Sequence, residues 1–343
     1  MGGQFVTHTP SICKPKNVGR KNETSAIAQA ELEAKAKWTK KKDEGYSETL
    51  EDVDACRVSR VEPMLAKNYK DYVEDLKFPL FSQPKLDGLR CIITRTDAMS
   101  RKWKPFVTVG HIQELLAPLF EKYPNIVAFD GEMYSHELKD NFEEIVSIVK
   151  QPKATEEDLA KAKEFVQYHI YDYVDTDAGL PFAGRTFNLK DYLAQIKNKS
   201  IVRVRTGAAS NQGQLDGLWE EYLADGYEGQ MVRVPASPYV HNRTNNLLKR
   251  KEFMDEEFEI IGYKESKGSR EGCICLRCKI DDTKEFDSVP KGNVEYLKML
   301  WENRDVLVGM MATVKFQGYS QDGIPRFNNT IRLRNSEGDE VVF

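Results

Sequence analysis

A lysine, an aspartate, a glycine and an arginine stand together in one short string, Lys85-Leu86-Asp87-Gly88-Leu89-Arg90. A lysine amine is a nucleophile once it has shed its proton, and one fixed at the rim of a rigid sheet is placed to attack an electrophile. Pro84 removes a backbone donor just before it. Gly88 can supply a backbone conformation closed to other residues, so the string reads as a tight connection between two strands. Three further strings follow in order. Phe129-Asp130-Gly131-Glu132 brings two acids to the end of a strand pattern. Glu228-Gly229-Gln230-Met231-Val232-Arg233 brings another acid after a helical pattern. Leu247-Leu248-Lys249-Arg250-Lys251 reads as a strand with alternate lysines. Side chains alternate along a strand, so Lys249 and Lys251 share a face. Two ammonium groups on one face repel unless an anion lies there, and a nucleotide phosphate is the natural anion. For the string Lys85 to Arg90 taken alone, the alternative is an ordinary β-turn with a surface lysine.

The elements that must carry these strings follow from periodicity. Short apolar runs at Phe78 to Phe81 and Cys91 to Thr94 flank Lys85, and strand patterns follow at Ile126 to Tyr134, Phe165 to Val174, Ile201 to Val204, Gln230 to Val234 and Asn246 to Arg250. Helical patterns lie between them at His111 to Lys122, Asn141 to Lys150, Glu156 to Glu164 and Gln214 to Ala224. This mixture predicts one α+β domain over residues 61–253. Beyond it, Glu257 to Tyr263, Cys273 to Ile280 and Gly309 to Phe316 read as strands, with a helix at Val294 to Glu302. Roughly five strands and one helix in about 90 residues predict a small barrel of the OB type over 254–343. Residues 1–60 form a third segment. Ser25 to Glu44 reads as a helix rich in Ala, Glu, Lys and Gln. From Lys14 to Lys42 there are nine Lys and Arg against three Glu, and from Asp43 to Asp54 there are six acids and no base. The stretch is read either as a solvated helix with an acidic tail or as a basic arm that touches phosphates.

Composition narrows the class. The chain has 343 residues, 40% hydrophobic and 30% charged, with a net charge of −4. A polyanion would therefore have to be met by a local basic patch rather than by overall charge. No apolar run reaches the ~18 residues of a membrane span, and the first residues lack the apolar core of a signal peptide. Six cysteines at scattered spacing are read as reduced thiols. These features lead to the expectation of a cytoplasmic protein. Cys273, Cys275 and Cys278 offer three thiols with no histidine after His241, and are read as a strand rather than a zinc site.

Taken in order, the strings resemble the covalent nucleotidyltransferases, and among them the ATP-dependent DNA ligases of small phage, viral or bacterial type, over about residues 61–343. The resemblance implies an adenylation domain followed by a C-terminal OB-fold domain, with ATP and Mg²⁺ as cofactors and Mn²⁺ able to substitute. It implies a monomer that seals nicks in duplex DNA during replication, repair or recombination. Lys85 would be the adenylylated lysine. Gln83 would lie near the adenine amine, Arg90 near the ribose, and Tyr171 would stack on adenine. Glu132 would serve the ribose or a metal, and Glu228 a metal. Lys249 and Lys251 would grip the α-phosphate. Ser100 and Arg101 resemble the short motif that holds the 5′-phosphate at a nick. The last motif of the family departs here: its R-x-D-K form is absent. Arg326, Arg332 and Arg334 therefore all stand as candidates for orienting the leaving pyrophosphate. The alternatives are an mRNA capping guanylyltransferase or RNA ligase of the same superfamily, or a non-catalytic DNA-binding protein that retains the fold.

Overall fold

A computed structural model describes residues 12–43, 46, 48–49, 60–139, 141–320, 322–335 and 337–341. Most of the acidic run expected from Asp43 to Asp54 lies outside the described residues. The chain divides into two compact units, Met1–Glu62 with Met99–Pro105, and Pro63–Ala98 with Phe106–Phe343.

In the first unit, α1 spans Ala26–Asp43. The Ser25 hydroxyl accepts the Ala28 N–H at 3.2 Å, satisfying one of the donors left over at a helix start. Lys40, Lys41 and Lys42 fill the last turn, where positive charge complements the helix dipole. The same unit contains the turn after Met99. Ser100 closes it, its carbonyl accepting from Trp103 N at 2.8 Å and its hydroxyl from Lys104 N at 3.0 Å.

The remaining elements run, in chain order, β1 (Leu65–Asn68), β2 (Leu80–Lys85), β3 (Leu89–Thr94), β4 (Ala98–Ser100), α2 (Gly110–Lys122), β5 (Ile126–Tyr134), α3 (Phe142–Val149), α4 (Glu156–Phe165), β6 (Gln167–Asp175), α5 (Phe182–Leu193), β7 (Ile201–Arg203), β8 (Gly207–Ala209), α6 (Gln212–Ala224), β9 (Gly229–Arg233), β10 (Arg243–Lys251), β11 (Met254–Glu265), β12 (Ile274–Lys279), β13 (Glu285–Ser288), α7 (Val294–Glu302), β14 (Met311–Phe316) and β15 (Asn329–Arg334). They form three five-stranded sheets of order β1-β10-β9-β2-β8, β4-β3-β5-β6-β7 and β13-β12-β11-β14-β15. This is the mixed α+β arrangement that the patterning predicts.

The apolar face of β3, β5 and β6 packs against α2 through Ile112, Leu116 and Phe120, and against α3 through Ile145, Ile148 and Val149. Each such side chain contributes about 1.5–3 kcal/mol on leaving water. The first sheet has a smaller core, in which Leu80, Val232 and Leu248 meet Leu215 of α6. The third sheet closes over Phe258, Ile260, Leu276, Val314 and Phe316, with Leu297 and Leu300 of α7 filling it. Cys273, Cys275 and Cys278 are buried free thiols in or beside β12, and among the described residues no group of His, Cys, Asp or Glu is arranged to hold a metal by itself. Among the described residues no helix is long and apolar enough to cross a membrane.

One feature of the topology positions the chemistry. Strands β2 and β3 are consecutive in the chain but belong to different sheets. The string Lys85 to Arg90 is therefore the crossing from one sheet to the other. Gly88 is needed there for a reason other than the expected one. Its backbone does not adopt a positive φ; instead a Cβ would stand 2.5 Å from the Met133 carbonyl oxygen and 2.7 Å from Glu132 Cγ. The loop lies so close to β5 that only hydrogen fits.

Candidate active site

Lys85 is the last residue of β2, opposite Gly229 of β9. Its Nζ forms an ion pair with Glu228 Oε2. The other oxygen of the same carboxylate pairs with Lys251 Nζ, at the end of β10. One carboxylate thus lies between two ammonium groups far apart in sequence. Burial pushes the Glu228 carboxyl up, but Lys85 and Lys251 outweigh it and hold the group below its usual range. Lys251 is in turn lowered, first by burial and then by the charge of Lys85. Lys249 shares that face of β10, opposite Met231, and adds to the lowering of Lys251. The anion beside Lys251 is thus Glu228, shared with Lys85 rather than with Lys249.

Glu132 sits on β5 opposite Arg90 of β3, with its Cγ against Gly88. Burial, opposed by Lys85 and Arg90 but reinforced by Asp130 and Glu228, pushes its carboxyl up to about 8. Asp87 is raised as well, by burial first and by Glu228 next. Two acids made costly to ionise beside a third are a surrounding that a hard cation would relieve. The donor set suits Mg²⁺, which binds through one or two carboxylates completed by substrate phosphates and water, rather than an all-protein cage.

The far wall is built by charge across the two sheets. Asp172 of β6 is fully buried and accepts from Arg185 Nε at 2.8 Å, from Arg185 Nη2 at 3.1 Å and from Arg233 Nη1 at 2.8 Å. Arg233 of β9 also donates from Nε to Gln83 Oε1 at 2.7 Å. Gln83 then donates to the Tyr171 carbonyl at 3.1 Å and to Thr206 Oγ1 at 3.0 Å. Gln83 is only 2% exposed, and its amide is held by these three bonds. Oε1 keeps a second lone pair for a ligand.

Tyr171 owes its position to a break in register. Asp130 faces Asp172 and Gly131 faces Ile170, which leaves Tyr171 without a partner on β5. An extra residue of this kind bends its strand and re-aims a side chain. The ring ends 5.7 Å from the Arg90 guanidinium and 5.6 Å from that of Arg233. Arg90 itself grips Asp130 with two bonds, at 2.9 and 2.5 Å, and the Met64 carbonyl at 2.7 Å.

The three candidate arginines separate clearly. Arg326 reaches the lysine loop, donating to Asp87 Oδ2 at 2.8 Å. Arg332 pairs with Glu340 at 3.9 Å, and Arg334 with Glu257 at 3.3 Å and the Gly338 carbonyl at 2.8 Å, so both are engaged around the third sheet. Ser100 and Arg101 belong to the other compact unit, where Arg101 lines a basic cavity. Sequence reading missed Arg185. The residue lies on an unexpected helix, and no motif marks it, although its partner Asp172 lies in the strand pattern Phe165 to Val174, next to Tyr171.

The chain is 24% identical to a DNA ligase of African swine fever virus over 308 residues, covering 84% of this chain and 69% of that one. It is 26% identical to a DNA ligase of Haemophilus influenzae over 265 residues, covering 71% and 82%. A solved Lig E DNA ligase superposes with a TM-score of 0.65 at 24% identity, covering 80% of this chain and 99% of the other, which shows a shared fold. Residues 63–251, more than half of the chain and including both Lys85 and Lys251, match the model of the ATP-dependent DNA ligase domain, and the chain belongs to that family.

Proposed function

We propose that Lys85 is the residue that carries AMP in this ATP-dependent DNA ligase, and that residues 61–253 form the adenylation domain. The observation that carries the reading is the sharing of Glu228 by Lys85 and Lys251 at the meeting point of two sheets. Lys85 Nζ, having released its proton, attacks the α-phosphorus of ATP. The bond from that phosphorus to the bridging oxygen breaks, and pyrophosphate leaves. A 5′-phosphate oxygen at a nick then attacks the same phosphorus, AMP moves onto the DNA end, and the amine is regenerated. The 3′-hydroxyl finally attacks the 5′-phosphate, its proton leaves, and AMP departs. Lys249 and Lys251 stabilise the charge that grows on the phosphate oxygens. Gln83, held by Arg233, presents its free lone pair to the adenine amine, Tyr171 offers a stacking face, and Arg90 lies by the ribose. Glu132 and Glu228 would hold Mg²⁺, which polarises the phosphates when bound. Ser100 and Arg101 take the 5′-phosphate of the nick. Residues 254–343 are read as an OB-fold domain, and the enzyme as an intracellular monomer acting on nicked duplex.

The deciding experiment incubates the protein with α-labelled ATP or GTP and divalent metal before denaturing electrophoresis. Label retained from ATP, lost on chelation, is the expected result. Retention from GTP alone would make the protein a capping-type enzyme.

Among the C-terminal arginines, Arg326 is assigned to the pyrophosphate, because its guanidinium already stands at Asp87. Arg326→Ala is expected to slow self-adenylylation by about 10²-fold, the usual loss on removing one charge-stabilising donor. Sealing of a nick that already carries AMP should suffer far less. Equal loss in both single-turnover rates would mean that the arginine merely holds the fold.

A further inference from the structure

Between Lys249 and Lys251 stands Arg250, and strand alternation turns it to the opposite face of β10. That face meets α6. Gln212, Asp216 and Trp219 recur there at helical spacing, so one stripe of α6 carries all three. Arg250 donates from Nη1 to Asp216 Oδ1 at 2.6 Å, and its guanidinium lies 4.7 Å from the centre of the Trp219 ring. A second ring, Tyr69, stands 5.0 Å away, in the short turn Tyr69–Asp71 that follows β1. Gln212 ties the two sides together, its Nε2 donating to the Tyr69 hydroxyl at 2.8 Å and to Asp216 Oδ1 at 2.8 Å. A guanidinium held by a carboxylate and by aromatic faces is a directional anchor. Here it joins β10, α6 and the turn after β1.

The anchored rung is the one that carries the chemistry. Gly229 is opposite Lys251 on one side and Lys85 on the other, and Glu228, just before it, pairs with both. A Cβ on Gly229 would stand 2.2 Å from the Arg250 carbonyl oxygen and 3.0 Å from Trp219 Cζ3. The ring that carries the guanidinium thus lies against the middle of the rung. Only Glu252 and Phe253 separate β10 from β11 of the third sheet. A displacement of that sheet would pull on Lys251 unless the strand is pinned just before it.

We propose that Arg250 is a positioning residue: clamped to Asp216, Trp219 and Tyr69, it fixes from behind the rung on which Lys85 and Lys251 face the nucleotide. The inference rests on the reading of Lys85 as the residue that carries AMP, and adds to it the part that aims the amine. Arg250 acts only through its neighbours, because its own side chain is on the reverse face.

The test measures single-turnover self-adenylylation of the full chain against ATP concentration, well below each variant's melting temperature. Arg250→Met should lose about 10- to 100-fold in rate at saturating ATP, the penalty for misplacing reacting groups by up to an ångström. Asp216→Asn, which frees one side of the guanidinium, should lose about 3- to 10-fold. In both, the ATP concentration at half-maximal rate should stay within about twofold of the wild type, since no contact to the nucleotide is removed. The two changes alter the local charge in opposite senses. An effect of charge on the amines would therefore drive the two rates apart, whereas loss of the clamp slows both. The double variant should be no slower than Arg250→Met, because parts of one unit give losses that do not add. Arg250→Lys, which keeps a cation between the rings, should fall between the wild type and Arg250→Met. Asp216→Asn, at a partly exposed helix position, carries the test should Arg250→Met fail to fold. A wild-type rate in Asp216→Asn, opposite changes in the two single variants, losses that multiply in the double variant, or a loss confined to ATP affinity would each overturn the clamp. The reading of Lys85 fails separately, if the wild type itself acquires no AMP, and the role of Arg250 then falls with it.

Discussion

Lys85→Ala is expected to carry no AMP after exposure to ATP and divalent metal, and to seal no nick. The whole proposed chemistry passes through one Nζ, and neither neighbour can replace it. Lys251 lies on another strand behind the same carboxylate, and Lys249 two residues before it. Removing a sole nucleophile costs on the order of 10⁶ in rate, which in a sealing assay is background. The variant should fold normally, because Lys85 lies at the end of β2 and is not part of a hydrophobic core. A substrate prepared with AMP already on its 5′-phosphate separates the roles, since its sealing does not need the amine as a nucleophile. That sealing should persist at a measurable rate. Intact-mass measurement reads the first result, and gel-resolved sealing reads the second. An adenylate of unchanged yield in the alanine variant would remove Lys85 from its assigned place.

The second large effect concerns stability. Asp172→Ala should destabilise the protein by about 3–5 kcal/mol, the cost of stranding buried charge. The carboxylate is the shared counter-ion of Arg185 and Arg233, both almost completely buried. Without it, two guanidiniums remain in a place that water does not reach. The melting temperature should fall on the order of 10 °C. Arg185→Ala should fall less, because Asp172 would keep Arg233. Since Arg233 orients Gln83, the variant that survives should also have a higher KM for ATP. A melting temperature within a degree or two of the wild type would show that the sheets are held by their apolar contacts alone.

Much of this arrangement is legible in the sequence. The strand Ile126–Tyr134 and the helix Val294–Glu302 coincide with their patterns, because long apolar alternation and helical spacing are local properties. Lys85 and Lys251, both singled out by their strings, share the Glu228 carboxylate, and Lys249 lies two residues before Lys251 on β10. Helix α5 was not legible. Its sequence includes Gly184, Thr186 and Asn188, which favour other conformations, and one of its buried residues is Arg185 rather than an aliphatic. A pattern reader places such an arginine in solvent, and only the tertiary partner Asp172 explains it. The strands β1, β8 and β13 are three or four residues long and were also missed, since so short a run has no period to detect. The bulge that aims Tyr171 has no signature of its own, because it is a relation between two strands. Which C-terminal arginine approaches Asp87 was equally hidden, since it depends on how the last sheet folds back.

Because the amine proposed as nucleophile, that of Lys85, stands on the last rung before the chain leaves one sheet for another, its aim is inherited from a ladder. Lys85 is opposite Gly229, and Gln83 is opposite Met231 two rungs away. Slipping that pairing by a single residue would turn the amine to the reverse side of the pleat and bring Pro84 in its place. An ångström of error can already cost a hundredfold in such a reaction. The tolerance of the catalyst is therefore set by main-chain hydrogen bonds that never meet the nucleotide, and substitutions buried beneath β9 should be felt as faults of alignment.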